Sequence, residues 1–172
     1  MKKVLSLLLI AALSATMLVA CGGDDSSTPA DDSTSTPDSV ASEYVDGTYR
    51  AESATFNNGY KEFLVVTYKD GKVTDVDFDA YSEKDETVLK STLTIEEYPM
   101  FTGENEDEPY QPSIWYPTLE ESIKNAAAPA DVELIADATH SCENAQKYLA
   151  AIQEAAKKGD TEVQVVDLKA AE

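Results

Sequence analysis

The stretch FLVVTYKDGKVTDVDFDA, Phe63 to Ala80, decides the fold class. Phe63 to Tyr68 is β-branched and aromatic, the composition of a strand. Asp70-Gly71 follows. After it Val76, Phe78 and Ala80 alternate with Asp75, Asp77 and Asp79, the period of two expected of a strand with one apolar and one polar face. Two such runs flanking Asp-Gly predict a β-hairpin closed by a tight two-residue turn. The aspartates are expected on its wet face.

Outward from the hairpin, the same signals continue. Asp46-Gly47 marks a turn, and the TYRAES that follows it predicts a first strand. Ser82 to Met100 reads as a loop and then a short helix stopped by Pro99. Thr102 to Pro109, TGENEDEP, is a loop. It lacks the alternating Asp/Asn spacing and central glycine of a calcium loop, and no metal is expected there. A helix is expected from about Pro117, with Leu119, Ile123 and Ala127 on one face and Pro129 ending it. Asp131 to Ile135, DVELI, reads as a strand. A last helix carries an apolar stripe of Ala145, Tyr148, Leu149, Ile152, Ala155 and Ala156. Lys157 and Lys158 sit in its final turn, and Gly159 closes it. EVQVVDL is a final strand. This order predicts α+β, a single domain over residues 44–172 with a mostly antiparallel sheet and two or three helices.

Before residue 44 the chain has a different character. Lys2 and Lys3 precede an almost wholly apolar run from Val4 to Ala20, the pattern of an export signal over residues 1–20. The LVAC that ends it resembles the bacterial lipobox, which implies that Cys21 is lipidated and becomes the new N-terminus. A plain secretory peptide leaves Cys21 unexplained. Two or three acyl chains, each CH2 contributing about 0.8 kcal/mol, hold a protein firmly to a membrane. Residues 21–43, rich in Ser, Thr, Asp and Pro, cannot bury enough apolar surface to order themselves and read as a tether. Such a segment reaches about 75 Å extended and roughly 25 Å as a coil. The expected location is the cell membrane, lipid-anchored on its outer, extracytoplasmic face. The net charge of -20 repels nucleic acid and anionic headgroups, so no nucleic-acid partner is expected.

Ile135 to Ala145, IADATHSCENA, contains the chain's one histidine, His140, and Cys142, its one cysteine besides Cys21. With so few metal-type ligands no transition-metal site is expected. An exported protein with one remaining thiol suggests a buried sulfur. Thr139 and Ser141 stand at the predicted start of the last helix. Their hydroxyls can cap its N–H groups, and the same N–H groups can instead receive a phosphate. Both readings stand on the sequence alone. His140 has the chemistry of a general base, but no nucleophile motif accompanies it, so an independent catalyst is not the expected reading.

DGTYRAES, GYKEFLVVTYKDGKVTDVDFDA, WYPTLEESI and ADATHSCENAQKYLAAIQEAAKKGDTEVQVV together resemble, in that order, the FMN-binding domain family. The resemblance covers about Val45 to Val166. It points to the small bacterial lipoprotein branch, related to the covalent-flavin subunits of ion-pumping oxidoreductases. The family's turn reads roughly V-D-x-V-S-G-A-T-x-S, and its threonine carries FMN through a phosphoester made by a flavin transferase. Carried over, this implies FMN as cofactor, held at Thr139 with Ala138, His140 and Ser141 around it. It also implies a membrane redox partner and a function as electron carrier. Tyr60, Trp115 and Tyr116 are the aromatics that would stack on the flavin ring or, alternatively, pack in the core. Here Glu133, Ala136 and Asp137 replace the family's aspartate, serine and glycine. A carboxylate about 4 Å from a phosphate charge costs roughly 4 kcal/mol at an effective dielectric near 20. That substitution supports the alternative, a non-enzymatic envelope lipoprotein that keeps the scaffold for binding or display without flavin.

Overall fold

The computed structural model describes residues 43–100 and 110–169. The expected signal, Cys21, nearly all of the tether and the TGENEDEP loop lie outside the described residues. The described chain forms a four-stranded sheet of order β3-β2-β1-β4, with two helices packed on one face. It is an α+β domain, as expected.

β2 (Tyr60–Lys69) and β3 (Lys72–Ser82) form the predicted hairpin. Asp70 and Gly71 have φ of 50° and 72°, the two positive angles of a type I′ turn. A bulge at Thr67/Tyr68 pairs Tyr68 with Val73 and Val66 with Val76, so both valines of VTDV face the core. β1 (Gly47–Ser53) pairs antiparallel with β2, sending Tyr49 and Ala51 inward beside Val66 and Leu64. β4 (Gln164–Val166), shorter than its sequence suggested, pairs parallel with β1 and makes the sheet mixed.

Helix α1 (Pro112–Asn125) packs on β3. It begins five residues before Pro117, the expected start. Pro112 holds the first-turn position, where a missing N–H costs nothing, and Pro117 lies inside the helix. Leu119 and Ile123 are fully buried as expected, but Ala127 lies beyond the last turn and is exposed. The helix ends at Asn125, before Pro129, which instead opens a 3-10 turn, Pro129–Asp131. Helix α2 (Thr139–Lys158) lies across β1, β2 and β4, and every residue of its predicted stripe is buried. Gly159 closes it at φ 67°.

Three other expectations are corrected. DVELI is no strand. Its backbone bonds to side chains: Glu133 N donates to Ser122 Oγ (2.8 Å), Ile135 N to Cys142 Sγ (3.4 Å), and Val132 O accepts from Gln146 Nε2 (3.0 Å). The helix expected before Pro99 is one 3-10 turn, Lys90–Thr92, followed by a turn in which Tyr98 N reaches Thr94 O (2.9 Å). Asp75 and Asp77 are exposed, but Asp79 is buried, because the 3-10 turn closes over it. Its carboxylate accepts from Ser91 N (3.1 Å), Ala80 N (2.7 Å) and Ser91 Oγ. Among the described residues no helix is long and apolar enough to cross a membrane.

Candidate functional site

The chain enters α2 through a tight turn. Asp137 has φ 60°, in the left-handed region that a short polar side chain tolerates. Ala138, buried, precedes the first helical residue, Thr139. Neither hydroxyl caps the helix, contrary to the capping reading. No side-chain cap bond forms there among the described residues. Ser141 turns instead to β2, where its Oγ donates to Glu62 Oε1 (2.8 Å), and Asn144 Nδ2 donates to Glu62 Oε2 (2.8 Å). Thr139 is exposed, and its hydroxyl makes no hydrogen bond among the described residues. The N–H groups of the first turn are left for solvent or a ligand.

These residues border a cavity of about 340 Å³, lined by Asp137 to Ser141 on one side and by Lys90, Tyr98, Met100 and Trp115 on the other. Lys90 Nζ lies 4.6 Å from the Tyr98 ring centre and 5.2 Å from that of Tyr60, and the two rings meet edge to face at 5.6 Å. Trp115 is only 4% exposed and stacks on Tyr110 at 6.4 Å. Its indole N–H is buried and has no acceptor among the described residues. A small pocket of about 40 Å³ adjoins, lined by Tyr60, Lys90, Glu62, Asn144 and Ser53 among others.

The predicted residues divide. Ala138, Thr139, His140 and Ser141 border the cavity, and Tyr60 reaches it through Tyr98 and Lys90. Tyr116 does not line it. Its ring packs edge-on against Phe78 (5.1 Å) and Trp115 (4.5 Å), and burial, with Glu62 nearby, pushes its phenol far up. His140 has a fully exposed side chain whose Nδ1 lies 3.8 Å from Glu143 across one helical turn. Cys142 is buried, and burial raises its thiol, so the sulfur packs and accepts an N–H rather than reacts. Sequence reading missed Lys90, Tyr98 and Glu62. No local pattern marks them, since three separate elements bring them together.

A larger opening of about 620 Å³ lies between α1 and the Pro129–Asp131 turn. Glu121, Asp131 and Glu133 line it, and none of the predicted residues does. It has neither aromatic walls nor a cation, whereas the α2 cavity has both, so the smaller cavity is the chemically equipped one.

No protein-family profile matches the chain, and no curated protein matches it. The fold is similar to the crystal structure of the CPE2226 protein from Clostridium perfringens, at 25% identity and a TM-score of 0.58, over 73% of this chain and 98% of that one. A solution structure of a protein from Clostridium thermocellum matches at 22% identity and a TM-score of 0.40, over 69% of this chain and 94% of that one.

Proposed function

We propose that this chain is a lipoprotein, anchored through Cys21 to the outer face of the membrane, that binds FMN at the N-terminus of α2 and carries electrons to or from a membrane redox partner. The single observation behind this reading is the exposed, unbonded hydroxyl of Thr139 at an uncapped helix start, opening onto an aromatic-walled cavity. The cavity falls within the size range of small-molecule sites. The residues fit the group: free first-turn N–H groups and Lys90 suit a phosphate, and Trp115 and Tyr98 suit a planar ring. If the attachment is covalent, the bond formed is Thr139 Oγ1 to phosphorus. The bond broken joins that phosphorus to its leaving group on a flavin donor, and the hydroxyl proton passes to solvent. A flavin held there supplies reversible one- and two-electron chemistry that the chain's own side chains lack.

One observation favours the alternative, an envelope lipoprotein that keeps the scaffold without flavin. Asp137 lines the same cavity and places a carboxylate beside the phosphate position. The deciding experiment is co-expression with a flavin transferase, followed by intact mass and absorbance in the flavin bands. A fixed mass increment with retained colour supports the carrier. An unmodified, colourless chain that also fails to retain added FMN supports the scaffold.

A further inference from the structure

We propose that residues 93–99 form a hinged lid over the α2 cavity, latched shut where Tyr98 sits against Tyr60 and the Lys90 ammonium. That the lid controls a flavin rests on the flavin reading; the motion does not.

The first argument is how the segment is held. Among the described residues, every hydrogen bond of residues 92–99 stays within 89–98. Thr92 N and Oγ1 donate to Leu89 O (3.0 and 2.7 Å), and Leu93 N donates to Lys90 O (3.3 Å). Thr94 N donates to Glu97 Oε2 (3.0 Å), and Thr94 O accepts from Glu97 N (3.2 Å) and Tyr98 N (2.9 Å). No residue of 83–100 is buried. A loop that keeps its bonds to itself and buries no apolar side chain loses little when it lifts as a unit.

The second argument is that both ends are pinned. At the entry, Leu89 bridges to Tyr81, and Ser82 N donates to Val88 O (3.0 Å). The buried Asp79 carboxylate then accepts from Ser91 N (3.1 Å) and Ser91 Oγ. At the exit, Tyr110 N donates to Met100 O (2.8 Å). Fixed posts with a self-contained span between them are the arrangement of a hinged loop.

The third argument is the latch. Among the described residues of the span, Tyr98 alone has an aromatic or cationic contact with the rest of the domain. Its ring meets Tyr60 edge to face at 5.6 Å. Lys90 Nζ, on the entry side of the span, lies 4.6 Å from the Tyr98 ring centre and 5.2 Å from that of Tyr60. Tyr60 is a fixed post: it opens β2, its N donates to Asn57 O (3.0 Å), and its O accepts from Asn57 N (2.7 Å). Lys90 thus rivets a moving ring to a fixed one. Contacts of this kind are individually weak, so the open form lies within reach of the closed one. Tyr98 lines the cavity, so lifting the span opens that wall.

Relaxation-dispersion NMR on the full chain in detergent reads the motion, since lids of this kind open in microseconds to milliseconds. Wild type should show exchange at the amides of residues 93–98 with one shared rate, and none at Ser91 or Asn58. Tyr98→Ala removes the latch and should raise the open-to-closed ratio by about fivefold or more. Lys90→Met should raise it less, and Tyr98→Phe, which keeps the ring, should match wild type. The lid is overturned if neither wild type nor Tyr98→Ala shows a shared rate over residues 93–98, or if Ser91 exchanges with them. It is overturned equally if Tyr98→Ala or Lys90→Met matches wild type. A parallel FMN titration separates the two ideas. Shared exchange with FMN refused by every variant keeps the lid and removes the flavin, and FMN bound without shared exchange does the reverse.

Discussion

Ser141 Oγ donates to Glu62 Oε1 at 2.8 Å and so ties the first turn of α2 to strand β2, 79 residues earlier in the chain. The other Glu62 oxygen receives Asn144 from the next turn of the same helix. One carboxylate therefore sets the angle at which α2 meets the cavity. It also explains why Ser141 does not cap: the strand offers its hydroxyl a carboxylate acceptor at 2.8 Å.

Removing that carboxylate leaves two part-buried donors without a partner. Glu62→Ala should therefore lower stability by about 2 kcal/mol. In a double-mutant cycle, Ser141→Ala should cost much less when Glu62 is already absent. Urea unfolding midpoints measure both. Strict additivity would mean that the Ser141–Glu62 bond contributes nothing to docking the helix.

The hairpin turn gives a second test. Gly71 has φ 72°, which a β-branched residue adopts only under strain. Gly71→Val should cost on the order of 1 kcal/mol or more. An unchanged midpoint would exclude the type I′ turn as a stabilising element.

The hairpin and α2 were legible because their signals are local. Asp70-Gly71 with alternation on both sides needs no information from elsewhere in the chain, and neither does a helical stripe closed by Gly159. Asp79 was misread for the opposite reason. Alternation assigns it to the wet face, and only Ser91, twelve residues on, buries it. Val132 to Ile135 has strand composition but no strand to pair with, since its polar groups go to Ser122, Cys142 and Gln146. Half of the candidate site shared that fate. Thr139 to Ser141 lie together in sequence, whereas Lys90 and Tyr98 arrive from irregular segments, the first held by Asp79 through Ser91 and the second by a turn closed on Thr94.

Glu120 gives a pH-dependent test. Its Oε1 accepts from Phe78 N (3.0 Å) at the sheet edge. Burial raises its carboxyl above the ordinary 4.5, the Phe78 N–H opposes that rise, and Asp77, Asp79 and Asp75 add to it. A carboxyl raised on folding favours the native state fully below its unfolded value and loses that favour as pH rises through the folded value. Glu120→Gln keeps an acceptor for Phe78 and removes the charge. It should therefore melt higher than wild type at pH 7, and the gap should close below about pH 4.5. Glu52 behaves oppositely: burial raises it, but Lys61 and Arg50 hold it below the ordinary value, so its contribution disappears as pH falls. For that reason the variant-minus-wild-type difference is the quantity to follow, by thermal melts across pH. A gap that persists at pH 4 would assign the effect to packing.

The last test concerns Thr139 and Asp137 together. Thr139 caps nothing and is exposed, so Thr139→Val should change stability by less than about 0.5 kcal/mol, unlike the loss expected of a helix cap. In the flavin reading the same substitution removes the ester oxygen and abolishes the covalent mass increment. Stability and loading therefore separate in one variant. Asp137→Gly acts on the other term. Glycine occupies φ 60° without strain and takes a carboxylate away from the cavity. Losing a repulsion of roughly 4 kcal/mol at about 4 Å would strengthen phosphate binding by hundreds-fold if the side chain points straight at the phosphate, and by less if water intervenes. Flavin occupancy of Asp137→Gly should exceed that of wild type, measured by absorbance per chain after gel filtration and by intact mass. If Asp137→Gly and wild type are equally empty after co-expression with the transferase, Asp137 is not what excludes flavin.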